Sequence, residues 1–220
     1  MEKIKDSDQS FTGPTKFTLD DYIKSARRLG QQLLWDIPEK DTTEWKIDKG
    51  ISLNLQEKHE EALSFWNRYL MLEPEYPELW YNKGVTLHAQ ERYEEAIACY
   101  DDAIKKQEMR THTHGSSIHV SPYYGKGLSL AKLERYEEAI ACYDDAIKLY
   151  PKSSRSWDYR GFSLHFLPAS GAGMICYDEA IKLDPKFSFA WNNKGVSLKK
   201  LGRDEEAEQC LVKSRELQQC

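Results

Sequence analysis

Glu91–Lys105 reads ERYEEAIACYDDAIK, and Glu134–Lys148 repeats it letter for letter. A shorter copy, CYDEAIK, occupies Cys176–Lys182, and Ala207 and Cys210 keep the same phase. A repeat of fixed period decides architecture before any single residue does, because each copy must bury its apolar side against the next. The glycines set the period. Gly50 and Gly84 lie 34 residues apart, as do Gly127 and Gly161, and Gly161 and Gly195. Gly84 to Gly127 is 43, one period plus nine inserted residues. Starting each unit seven residues before its glycine gives 43–76, 77–110, 120–153, 154–187 and 188–220.

Each unit reads as two amphipathic helices, at roughly positions 3–15 and 18–31. Position 4 is Trp80, Tyr123, Trp157 and Trp191, with Lys46 in the first unit and Trp45 one place early. Position 20 is Ala62, Ala96, Ala139 and Ala207; position 24 is Trp66, Tyr100, Tyr143 and Tyr177. Position 27 is Ala103, Ala146 and Ala180, and position 32 is Pro74, Pro151 and Pro185. Gly costs about 1 kcal/mol in a helix interior, so Gly at position 8 must be offset by close approach of the second helix. This pattern resembles the tetratricopeptide repeat (TPR) over residues 43–220. The resemblance implies an all-α fold, an α-solenoid of helix-turn-helix repeats wound as a right-handed superhelix.

Composition narrows the function. The 220-residue chain carries a formal charge of −5, and its pI is about 5.8. It has no basic block, so a nucleic-acid backbone finds no electrostatic attraction. No apolar run reaches the roughly 18 residues of a membrane span, and the N-terminus lacks the apolar core of a secretory signal. The expectation is a cytoplasmic protein that binds neither nucleic acid nor membrane. Cys99, Cys142, Cys176 and Cys210 all fall at position 23. Neighbouring helices pack roughly 8–10 Å apart, farther than a disulfide reaches. With no CxxC motif or mixed Cys/His cluster to hold a metal, these read as small half-buried residues. Cys220 reads as a free thiol. No GxSxG, Walker loop or HExxH motif occurs. The adjacent acids Asp101 and Asp102 point apart on a helix and cannot share a substrate. No enzyme and no cofactor are expected.

Residues 1–17 are polar and broken by Gly13-Pro14, and read as disordered. Thr18 then reads as an N-cap, followed by Leu19, Tyr22, Ile23, Ala26, Leu29, Leu33 and Leu34 at helical spacing. This extra N-terminal helix, in the segment 18–42, is expected to cover the open end of the first unit. The alternative is a homo-oligomeric scaffold associating through it. Two departures stand out. Pro168, Ser170, Gly171 and Gly173 replace helix formers in the fourth unit, so its second helix should start late. The inserted residues, near 107–119 and read as a loop, carry His112, His114 and His119; a metal or small-ligand sensor is the weaker alternative reading of this loop. Positions 21 and 28, apolar in units one to four (Leu63/Leu70 to Met174/Ile181), become Glu208 and Arg215 in the fifth. That change is expected to end the array with a polar face.

The resemblance also implies where a partner would sit, since in the family positions 2, 5, 9, 12 and 13 line a concave groove. These are Ile47, Ile51, Asn54 and Leu55, then Tyr81, Val85 and His88, then Tyr124, Leu128 and Lys132. The fourth unit contributes Asp158, Phe162, His165 and Phe166, and the fifth Phe189, Asn192, Val196 and Lys199. The apolar position-9 residues read either as groove or as core. Some family members clamp a chaperone's C-terminal carboxylates through Lys, Asn and Arg. Here Ile47, Ile51, Ser121 and Gly125 stand at those places and only Asn82 matches, so no such clamp is expected. The implied function is a non-enzymatic adaptor that binds a protein or peptide in the groove.

Overall fold

The computed structural model describes residues 43–111, 121–167 and 170–219; the N-terminal helix expected at 18–35, the three loop histidines and Cys220 lie outside them. Among the described residues there are ten α-helices and no strand. The chain divides between Leu133 and Glu134 into two compact units. The N-terminal unit holds α1 (Thr43–Leu55), α2 (His59–Leu72), α3 (Pro77–Ala89), α4 (Tyr93–Thr111) and α5 (Pro122–Lys132). The C-terminal unit holds α6 (Tyr136–Leu149), α7 (Ser154–His165), a 3-10 turn at Ser170–Ala172, α8 (Gly173–Leu183), α9 (Ser188–Lys200) and α10 (Asp204–Gln218). Odd and even members alternate as first and second helices of successive repeats. In each unit a first helix packs on both flanking second helices and on the next first helix, as α1 on α3, α3 on α5, and α7 on α9.

The glycine and alanine positions sit at the tightest contacts. A methyl placed on Gly84 would meet the Tyr100 ring at 2.8 Å, and one on Gly161 the Tyr177 ring at 2.8 Å. Gly50 lies under Trp66 in the same way, and Gly195 under Leu211. Positions 8 and 24 are therefore one contact: the bare Cα is the slot for the bulky ring. Ala62, Ala96, Ala139 and Ala180 are wholly buried, as are Trp66, Tyr143 and Tyr177. Truncating such a ring to alanine costs about 3–5 kcal/mol.

Position 4 answers to position 32. The indole N–H of Trp80 donates to the Pro74 carbonyl at 2.8 Å, that of Trp157 to Pro151 at 3.1 Å, and that of Trp191 to Pro185 at 3.0 Å. The proline that stops one repeat thus anchors the first helix of the next. The second repeat has Glu108 at this place, so nothing halts α4. The helix runs on to Thr111, into the stretch read from sequence as loop, and the Tyr123 hydroxyl donates to the Glu108 carboxylate at 3.1 Å instead. Lys46, at the aromatic place in the first repeat, is buried, with its ammonium 2.8 Å from Glu73 and 4.9 Å from the Tyr69 ring centroid.

The first helices end near position 13, two residues earlier than the periodicity predicts. Position 15 must turn the chain through positive φ, at Glu57 (58°), Glu91 (61°), Glu134 (59°) and Gly202 (73°). In the fourth repeat this place is Pro168, whose ring excludes positive φ. There α8 starts at position 20 rather than 17, after the 3-10 turn. Glu208 and Arg215 are exposed and pair at 2.7 Å.

Candidate functional site

Burial separates the predicted groove residues into two sets. Tyr81, Val85, His88, Leu128, Phe162 and His165 are buried, none more than 7% exposed. They pack between helices and leave a partner little surface, which settles three of the five position-9 residues as core. Tyr81 lies 5.7 Å from the Tyr100 ring in a tilted pair. Ile47, Ile51, Tyr124, Asn192 and Val196 are half-buried, and Phe166 is 46% exposed. Leu55 and Phe189, 45% and 44% exposed, belong with these.

Polar side chains at position 12 turn inward because the next repeat supplies a hydroxyl at position 10. Asn54 Nδ2 donates to Thr86 Oγ1 at 2.7 Å. His88 Nδ1 lies 2.8 Å from Ser129 Oγ, and His165 Nδ1 3.0 Å from Ser197 Oγ. Burial, with a smaller push from Lys132, holds the His88 pKa down to about 4, so its imidazole is neutral at physiological pH. Ser129 donates to the Gly125 carbonyl at 3.3 Å, leaving its oxygen to accept from a protonated Nδ1 of His88. Asp158, at position 5, is buried as well. Asn193 Nδ2 donates to its two oxygens at 3.2 and 3.3 Å, yet burial outweighs this bond and pushes its pKa up to about 7.

The accessible aromatic surface of the C-terminal unit centres on Phe166. Its ring stacks on Tyr136, with centroids 4.7 Å apart and planes 7° from parallel. Phe162 meets it edge-on at 5.0 Å and His165 at 5.5 Å. Phe162 and His165 are the buried floor, and Phe166 presents the open side. In the N-terminal unit the accessible positions are Ile47, Ile51 and Leu55 on α1, and Tyr124 on α5.

Three features escaped the sequence reading, though each left a signal. Position 10 is Ser or Thr in all five repeats: Ser52, Thr86, Ser129, Ser163 and Ser197. Position 7 is basic in all five, and in the last three repeats its partner is the acid at position 25 of the preceding repeat. Lys126 pairs with Asp101, Arg160 with Asp144, and Lys194 with Asp178, each at 2.6 Å. Tyr136, the stacking partner of Phe166, sits at the start of a second helix, where no groove position falls. Cys99, Cys142, Cys176 and Cys210 are buried; burial pushes the Cys99 thiol up to about 11 and raises Cys176 and Cys210. Among the described residues no cluster of three His, Cys, Asp or Glu side chains could hold a metal, and no helix is long and apolar enough to cross a membrane.

Comparison with known proteins agrees with this anatomy. A family model described as tetratricopeptide repeat matches residues 75–152, and a second of the same description matches 176–209. Together they take in about half of the chain. No curated protein matches the sequence. Among solved structures, MamA from Desulfovibrio magneticus RS-1 superposes with a TM-score of 0.68 at 20% identity, over 83% of this chain and 98% of that one. Another MamA crystal structure gives 0.66 at 16% identity, over 83% and 97%. YrrB, described as a TPR protein with an unusual peptide-binding site, gives 0.60 at 20% identity, over 91% and 94%. At these identities the likeness is one of fold. Repeat by repeat, from the glycine slot to the family matches, the chain belongs to the tetratricopeptide repeat family, a family of protein-interaction scaffolds.

Proposed function

We propose that this chain is a non-enzymatic adaptor that holds a segment of a partner protein against the inner faces of its first helices. The observation that carries the reading is exposure at predicted groove positions within each unit: Phe166 and Phe189, with half-buried Val196, in the C-terminal unit, and Leu55, with half-buried Ile47, Ile51 and Tyr124, in the N-terminal unit. Large apolar side chains that keep an open face are what a partner's apolar residues cover. Aromatic residues dominate such contacts. Among the described residues no group of three His, Cys, Asp or Glu side chains could hold a metal, and the two Ser–His pairs, His88 with Ser129 and His165 with Ser197, are buried in the packing between repeats.

The test is a crosslinking pull-down of the full chain against Tyr124→Ala and Phe166→Ala variants. Phe162 is unsuitable, because at 5% exposure its removal opens a core cavity. Each variant should lose partners that wild type retains, with circular dichroism unchanged. A partner set untouched by both variants would remove the inner face from consideration.

A further inference from the structure

The C-terminal unit is polarised in charge. Its first helices, α7 and α9, carry five basic residues and one acidic residue, Asp158. Its second helices, α6, α8 and α10, carry four basic and eleven acidic. The single acid on the inner layer is buried, so it does not offset the cations at the surface.

Most cations of this unit are already matched. Arg135, Arg160, Lys194 and Arg203 each face a carboxylate at 2.6 Å. Lys199 and Lys200, in the last turn of α9, are exposed, and among the described residues no carboxylate lies within ion-pair reach of either. Lys200 Nζ instead donates at 3.4 Å to the carbonyl of His165, the last residue of α7. That contact ties its ammonium to the end of α7, at the residue that precedes Phe166, whose exposed ring stacks on Tyr136. The helix dipole alone does not call for two adjacent lysines here. The equivalent places in the other repeats are Asn54-Leu55, His88-Ala89, Ala131-Lys132 and His165-Phe166.

We propose that the first-helix face of the C-terminal unit takes an acidic segment of a partner protein, stacking an aromatic or leucine side chain on Phe166 and pairing Asp or Glu carboxylates with Lys199 and Lys200. This rests on the groove reading above and names the chemistry of its ligand. The carboxylates are side chains, so no free C-terminus is required. An apolar anchor flanked by charge also sets the order of events: charge steers the encounter, and the covered ring holds the complex.

The experiment selects random dodecapeptides, displayed with their C-termini fused, on the full chain. The winners are synthesised with acetyl and amide ends and measured by fluorescence anisotropy. The expected winners place an aromatic or leucine residue close to acidic ones, and bind more weakly as salt is raised. Lys199→Glu/Lys200→Glu should weaken them by about tenfold or more, and Phe166→Ala by a similar factor. Because both lysines are exposed, their reversal leaves the fold intact, which circular dichroism checks. Winners without acidic residues, or binding lost in Phe166→Ala but unchanged by the lysine reversal, would overturn the acidic ligand and leave the groove reading standing. Binding indifferent to both changes would remove the groove reading too. Failure to select any peptide overturns the proposal. Self-association in sedimentation that Phe166→Ala abolishes would also overturn it, making a second copy of the chain the occupant.

Discussion

Two buried titrating side chains give the molecule opposite responses to pH. Asp158 keeps its proton up to about 7 when folded, against 3.8 ordinarily. Between those values the folded state holds a proton that the unfolded chain releases, so stability falls as pH rises and levels off above about 7. Asp158→Asn keeps an acceptor for Asn193 and removes the charge that burial penalises beside Tyr143, Tyr177 and the Cys176 thiol. It should stabilise at pH 8 by up to roughly 4 kcal/mol and have little effect at pH 4, read by urea denaturation at both. His88 works in reverse. Its folded pKa of about 4 lies below the usual 6.5, so stability is lost as pH falls through that window. His88→Asn, copying Asn54 one repeat earlier, should keep the bond to Ser129 and flatten the loss between pH 6.5 and 4. A variant whose denaturation midpoint still falls with wild-type slope would show that His88 is not the group involved. Neither behaviour was legible in the sequence. Both residues stood as groove candidates, and only their burial reveals that they are packing groups with displaced proton equilibria.

At the scale of elements, the loop between helices and the two glycines at the entry to α8, Gly171 in the 3-10 turn and Gly173 at the helix start, carry the sharpest expectations. Glu57 and Glu91 adopt positive φ, which costs a side-chain-bearing residue about 1–2 kcal/mol. Gly202 occupies the same place without that cost. Glu91→Gly should therefore raise the melting temperature, against the usual rule that glycine destabilises. Gly173 invites the opposite mistake. It stands where the other repeats have alanine, and its substitution reads in the sequence as a weakened helix start. Yet a methyl there would meet the Gly161 carbonyl oxygen at 2.8 Å, a backbone atom that cannot swing aside. Gly173→Ala should cost roughly 1–3 kcal/mol. Gly171→Ala, with nothing within 4 Å of the added methyl, should be neutral or mildly stabilising. Thermal melts of the two variants, run side by side, decide whether the contact or the helix propensity governs. The late start of α8 was visible beforehand, because Pro168 and two glycines oppose helix. The tight backbone approach was not, because nothing in one repeat's sequence reports how far its two helices stand apart.

At the scale of the whole molecule, the repeat determines what kind of ligand is refused. A carboxylate clamp in the family's register would need a basic side chain at Gly125. Any Cβ there meets the Tyr100 ring at 2.8 Å, while Asn82, the one matching residue, is buried and donates to the Glu78 carbonyl at 2.8 Å. Titration with a free-carboxylate EEVD-type peptide should give affinity weaker than micromolar, with no loss on amidation. Tight binding abolished by the amide would contradict this. By itself the sequence determined the period, the helix pair in each repeat, the family, and the absence of that clamp. All four follow from which residues recur at which spacing, and spacing along a helix maps directly onto its faces. The tertiary structure alone decided which inner residues are surface and which are core. That choice depends on how far each first helix is rotated and how closely its neighbours approach. It is why Phe162 became floor and Phe166 became platform, though both stood as candidates on the same face.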